Sequence, residues 1–120
     1  VAASNALLDE GVITNVVNIT GPGPLYRSYQ QWVADAMSAR GVEERFMADT
    51  IPADSRSVPV VTVIDGHPHS LAWIGSALKT ATLPLGVSEF GQSGTRAELY
   101  KEYKIDTDSI IAACLGALEI

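Results

Sequence analysis

The sequence predicts an α/β fold, a three-layer α/β/α arrangement around a mostly parallel sheet, and three observations support it. Two apolar runs, residues 58–64 and 81–87, flank an amphipathic segment that starts at His67 and Pro68. Parallel strands need such a crossover, which is right-handed in nearly all proteins. Residues 12–19 form a third run, rich in Val and Ile and apolar on both faces, which is typical of a strand covered on both sides. Strand-like and helical segments alternate, as in α/β proteins.

The N-terminal half supplies two of the predicted helices. The first covers residues 2–10 and ends at Gly11, a residue suited to the position after a helix. The second covers residues 24–40, with an apolar stripe at spacings of three and four. Residues 42–57 are polar and predict a surface connection with a short helical turn near 43–47. The stripe consists of Leu25, Tyr29, Trp32, Val33, Ala36 and Met37, which we interpret as core rather than ligand-binding residues.

The C-terminal half predicts a helix after Pro68 with Leu71, Ile74, Ala77 and Leu78 on its inner face. Pro84 in the following strand favours an edge or a bulge. Thr95 and Glu98 have the spacing of a capping box, and Asp106 is the expected cap of the last helix. The apolar face of that helix is predicted to be Ile110, Ile111, Cys114, Leu115 and Leu118.

Composition sets the outer limits on function. The 120 residues predict one domain, 1–120, and 47% of them are apolar. A net charge of −6 argues against a nucleic-acid surface, and no apolar run reaches the roughly 18–20 residues of a membrane helix. The single Cys114 is expected to be a core residue in a reducing, cytoplasmic setting. Because the chain opens at Val1 within a predicted helix, we expect it to be a fragment of a longer protein.

Polar loops at the carboxyl ends of the predicted strands are where ligands meet an open parallel sheet. Three loops, residues 20–23, 65–69 and 88–93, should line this rim, and both histidines of the chain lie in the middle one. We take the following as candidate rim residues on the active-site side: Asp65, His67, His69, Glu89, Phe90, Gln92 and Ser93.

Several chemistries can be considered for these loops. Asp65, His67, His69 and Glu89 could ligate zinc or iron, but Pro68 separates the histidines, and the simpler interpretation is that Asp65 and His67 satisfy amides at the helix start. The loop 21–24 contains two prolines, which remove the amide donors that a phosphate needs. Residues 91–93 fail the hydrolase motif because Thr95 stands where a glycine is required.

Longer stretches of the chain resemble the C-terminal domain of the transketolase family. The likeness is greatest to the homodimeric, thiamine-diphosphate-dependent decarboxylating component of pyruvate dehydrogenase complexes. The Phe-Gly-x-Ser turn at 90–93, followed by Ile105 and Asp106, is moderately specific, whereas the strands alone are not. The resemblance covers nearly the whole chain and rests on residues 16–20, 51–60, 85–94, 98–100 and 104–110.

This resemblance implies a C-terminal scaffold and dimerisation domain of a 2-oxo acid dehydrogenase or transketolase-like enzyme, inactive alone. Thiamine diphosphate and Mg²⁺ would be bound by other domains, and the family's Gly-Asp-Gly and Asn motif is missing, so no catalytic or cofactor-binding residue is carried over. Asp65 matches an acidic residue of the family, while His67 and His69 depart from it. The family's strands before the helix at 2–10 are absent here, one of them central, so we expect a homodimer or strand-exchanged oligomer.

Two other functions stay open at this point. The chain could be a free-standing α/β interaction or regulatory module, which its acidic surface would suit. It could also be a small metal-dependent enzyme that uses the loop of His67 and His69.

Overall fold

The computed structural model describes residues 1–38, 51, 57–89 and 94–120. These residues fall into two compact units, one made of residues 1–16 and 57–120 and the other of residues 17–56. Helices and a parallel pair of strands occur together, so the mixed α/β class is confirmed.

The first unit is built on the predicted crossover. Strand β1 (Val60–Val63), helix α3 (His69–Leu78) and strand β2 (Thr82–Leu85) follow one another, and the two strands pair in parallel. The register places Val60 opposite Thr82 and Val63 opposite Leu85. Helix α3 buries Leu71, Ile74, Gly75 and Leu78, so three of its four predicted inner residues are buried, and Ala77 is half-buried.

Helix α3 lies very close to β2 at one point. A Cβ on Gly75 would stand 2.7 Å from the Cβ of Thr82, closer than real side chains approach. Lys79 then ends the helix in the left-handed conformation, at φ 56°. The Thr80 hydroxyl donates a 2.9 Å hydrogen bond to the carbonyl of Val58, which joins the end of the crossover to the start of β1.

The predicted edge position of Pro84 is confirmed among the described residues, where β1 is the only sheet neighbour of β2. The amides of Val60 and Ile64 donate to the carbonyls of Ala81 and Leu85, at 2.9 and 3.1 Å. Because a parallel ladder uses alternate residues of each strand, the nitrogen of Pro84 faces away from β1 and its missing N–H costs no ladder bond.

Two capped helices complete the C-terminal part. Helix α4 (Arg96–Glu102) begins with the predicted capping box, in which the Thr95 hydroxyl accepts from the Glu98 amide and the Glu98 carboxylate accepts from the Thr95 amide. Helix α5 (Thr107–Ala117) is capped by the Asp106 carboxylate, which accepts from the Ser109 amide. Both caps confirm the sequence predictions.

Helix α5 packs against both strands and against α1 (Ala2–Asp9). Its apolar face was predicted too widely. Leu115 and Leu118 are 37% and 57% exposed, whereas the small Ala117 is buried. The buried face therefore turns toward Ala117, and the two leucines stand at its border.

Helix α1 ends where the sequence predicts, because Gly11 follows it with φ +83°, a conformation that costs glycine little. The chain then stays beside the helix, since the Val12 amide donates to the Leu7 carbonyl at 2.8 Å. The hydroxyls of Ser4 and Thr14 are 2.6 Å apart and hydrogen-bonded.

The prediction of a strand over residues 12–19 is wrong. These residues have no regular secondary structure, and Ile13 and Val16 are 83% and 62% exposed. A strand is defined by its hydrogen-bonded neighbour, and in the described part of the chain the only paired strands are β1 and β2. The β-branched composition of residues 12–19 is typical of a strand, but composition does not provide the neighbouring strand that pairing needs.

The second unit contains helix α2 (Pro22–Met37), which starts two residues earlier than predicted because Pro22 occupies its first position. Leu25, Tyr29, Trp32 and Val33 are half-buried, while Ala36 is exposed and Met37 is 79% exposed, so the predicted stripe holds only in its first three turns. The rings of Tyr29 and Trp32 stack at a centroid distance of 5.8 Å. The turn predicted near 43–47 and the end of the predicted helix lie outside the described residues.

Candidate functional site

The carboxyl ends of β1 and β2 lie side by side, as the parallel crossover requires. The backbone pairing continues past both strands, because the Val87 amide donates a 2.6 Å hydrogen bond to the carbonyl of Gly66. The predicted rim segment 65–69 therefore lies beside Val87, the residue that precedes the predicted rim segment 88–93. We call this junction of residues 64–68 and 85–87 the crossover rim.

Gly86 makes the crossover rim tight. A Cβ at this position would stand 2.5 Å from the Gly66 carbonyl oxygen and 2.8 Å from the Pro68 nitrogen. Both neighbours are backbone atoms, which cannot swing aside as a flexible side chain would. Only glycine fits here without a shift of one loop against the other.

His67 has a local structural role at the start of α3. Its Nδ1 accepts a 3.1 Å hydrogen bond from the amide of His69, the first residue of the helix. An accepting Nδ1 places the proton of the neutral ring on Nε2. The expectation that this loop satisfies amides of the helix start is thus confirmed for His67. Among the described hydrogen bonds, no amide donates to the Asp65 carboxylate.

The described candidate residues lie at the surface. Asp65, His67, His69 and Glu89 are all exposed, and the rings of the two histidines are 6.0 Å apart, centroid to centroid. Among the described residues, no group of three or more His, Cys, Asp or Glu side chains could hold a metal ion. Phe90, Gln92 and Ser93 lie outside the described residues, and with them the failed hydrolase motif.

The third predicted rim segment, residues 20–23, belongs to the second unit. Gly21 precedes α2, and no side chain caps the helix start. Pro22 and Pro24 carry no amide hydrogen, and the Leu25 amide already donates to the Gly21 carbonyl, so the start of α2 offers few amides to an anion. An open depression of about 490 Å³ borders the turn, and none of its eight lining residues, which include Asn18, Thr20 and Ser28, is charged. The loop is a poor anion site, as its prolines predict.

Cys114 was predicted to be a core residue, and the structure places it only at the border of the core. It is a free, half-buried thiol on α5, and burial raises the pKa of this thiol above its usual value. A raised pKa lowers the thiolate fraction at neutral pH, which is the opposite of what a cysteine nucleophile needs.

The contact between the two glycines of the crossover rim was missed by the sequence reasoning. Its signal was present, because Gly66 stands two residues beyond the predicted strand 58–64 and Gly86 lies near the end of the predicted strand 81–87. Glycine in such places marks close approach of one backbone to another.

No family model, no curated protein and no solved structure matches this chain. Within the described ranges, no helix has the length and apolar character to cross a membrane.

Proposed function

We propose that this chain is a C-terminal scaffold and dimerisation domain of a thiamine-diphosphate-dependent 2-oxo acid dehydrogenase of the pyruvate dehydrogenase type, or of a transketolase-like enzyme. Its residues would shape and support the parent enzyme and perform no chemical step. The other domains of that enzyme are its proposed partners, and we place it in a reducing cytoplasm on account of the single cysteine.

One observation carries the proposal, namely the order of elements from β2 to α5. The resemblance to the transketolase family rests on a strand end, a polar loop, a short helix and a last helix. The structure has β2 up to Leu85, the capped α4 from Arg96 and the last helix α5 capped by Asp106. This order supports the resemblance at Ile105 and Asp106, while the Phe-Gly-x-Ser turn at 90–93 lies outside the described residues.

The surface of the first unit is compatible with a domain that other parts of a protein cover. Leu8, Leu118 and Ile120 are 58%, 57% and 76% exposed. Such side chains gain roughly 25 cal/mol for each Å² removed from water by a partner. We further propose that α3 and α5, which both contact β1 and β2, cover opposite faces of a larger parallel sheet in the parent enzyme.

In the whole enzyme, thiamine diphosphate would supply the ylid nucleophile and the electron sink that 2-oxo acid decarboxylation needs, with Mg²⁺ on its diphosphate. The crossover rim of this chain would face the active-site side. Its rigid Gly66 and Gly86 contact would hold the loops of Asp65 and Glu89 in place there.

The decisive test is the size of the native polypeptide. An antibody raised against this domain should detect, on a denaturing gel of source-cell lysate, a band several times larger than 12.7 kDa. A band at 12.7 kDa would overturn the proposal and favour the free-standing interaction module.

A titration of the isolated chain tests where the cofactor binds. Calorimetry with thiamine diphosphate and Mg²⁺ should show no binding to the 120 residues, with the intact parent enzyme as the positive control. Micromolar affinity of the isolated chain would contradict the assignment of cofactor residues to other domains.

A further inference from the structure

We draw no further inference here: the strongest candidate, the open and uncharged depression at the start of α2, carries nothing, because its polar side chains Asn18, Thr20 and Ser28 are all exposed and nothing in the described part of the chain shows what would occupy it.

Discussion

Helices α3 and α2 both carry an apolar stripe, but the two stripes differ in how far they are buried. The ten residues of α3 include four that are buried, whereas none of the sixteen residues of α2 is buried. Helix α3 connects β1 to β2, and both strands lie directly against it. Periodicity predicts that a segment is a helix, and burial depends on what the chain places against it.

The two helices also differ in how they begin and end. Helix α3 starts with an amide bonded to His67 and ends at Lys79 in the left-handed conformation. Helix α2 starts after Gly21 with two prolines in its first turn and no side-chain cap. Local hydrogen bonds therefore add to packing in the first unit, while the described contacts of α2 include the stacked rings of Tyr26, Tyr29 and Trp32.

A pair of matched leucine truncations should show the largest difference. Leu71→Ala in α3 removes a side chain that is 8% exposed, and we expect it to lower the free energy of unfolding by about 2–5 kcal/mol. Leu25→Ala in the half-buried stripe of α2 should cost about 1 kcal/mol. Urea unfolding followed by circular dichroism measures both. Equal costs would mean that the α2 stripe is as well covered in solution as that of α3.

A pair of glycine substitutions should sharpen the contrast between tight and open backbone. Gly86→Ala places a Cβ against the Gly66 carbonyl and Pro68, and we expect a loss of about 1–3 kcal/mol in unfolding free energy. Gly116→Ala in α5 meets nothing within 4 Å and should stabilise by up to about 1 kcal/mol, because alanine is the better helix residue. The same urea measurement applies, and a neutral Gly86→Ala would mean that the crossover rim yields easily.

Local signals made most of the first unit predictable from sequence. The capping box of Thr95 and Glu98, the cap at Asp106 and the glycine after α1 each depend on residues within four positions of one another. The crossover was predictable because two apolar runs with a helical segment between them have few other solutions.

The failures share a different physical cause. Residues 12–19 have the composition of a strand, yet pairing needs a partner that the segment itself does not encode. The border of the α5 face at Leu115 and Leu118 depends on how far the helix turns against the sheet. The contact of Gly66 with Gly86 joins positions twenty apart, so it follows only once both strands are in register.

A buried hydroxyl provides the next test of how the first unit is packed. Thr62 in β1 is 6% exposed, and its hydroxyl has no hydrogen-bond partner within the described structure. Burying such a group without a bond costs free energy, so Thr62→Val should stabilise by about 1 kcal/mol. Thr80→Val is the control, because it removes a hydroxyl that does bond, to Val58, and should destabilise. A loss of stability in Thr62→Val would show that water or another group satisfies this hydroxyl.

The smallest expected effect concerns the charge at a helix start, because α5 begins with a carboxylate cap and α2 begins without a side-chain cap. Hydrogen bonding from the Ser109 side chain, helped by the Ser109 amide, lowers the pKa of Asp106 below its ordinary 3.8, while burial acts in the opposite direction. Because the folded state favours the ionised carboxylate, its stabilisation is complete above the ordinary pKa and is lost as the pH falls through the lowered one. Asp106→Asn keeps an acceptor but no charge, so thermal unfolding of this variant should depend less on pH below about 4 than that of the parent chain.

Asp108→Asn is the matched control, since it removes a charge from the same first turn of α5 without touching the cap. If both variants reduce the pH dependence of thermal unfolding below about pH 4 equally, the charge acts through the helix dipole in general and the bond to Ser109 adds nothing. If Asp106→Asn alone reduces this pH dependence, the cap itself is responsible for it. Helix α2, which begins without a side-chain cap, should then contribute no such acid dependence through its start.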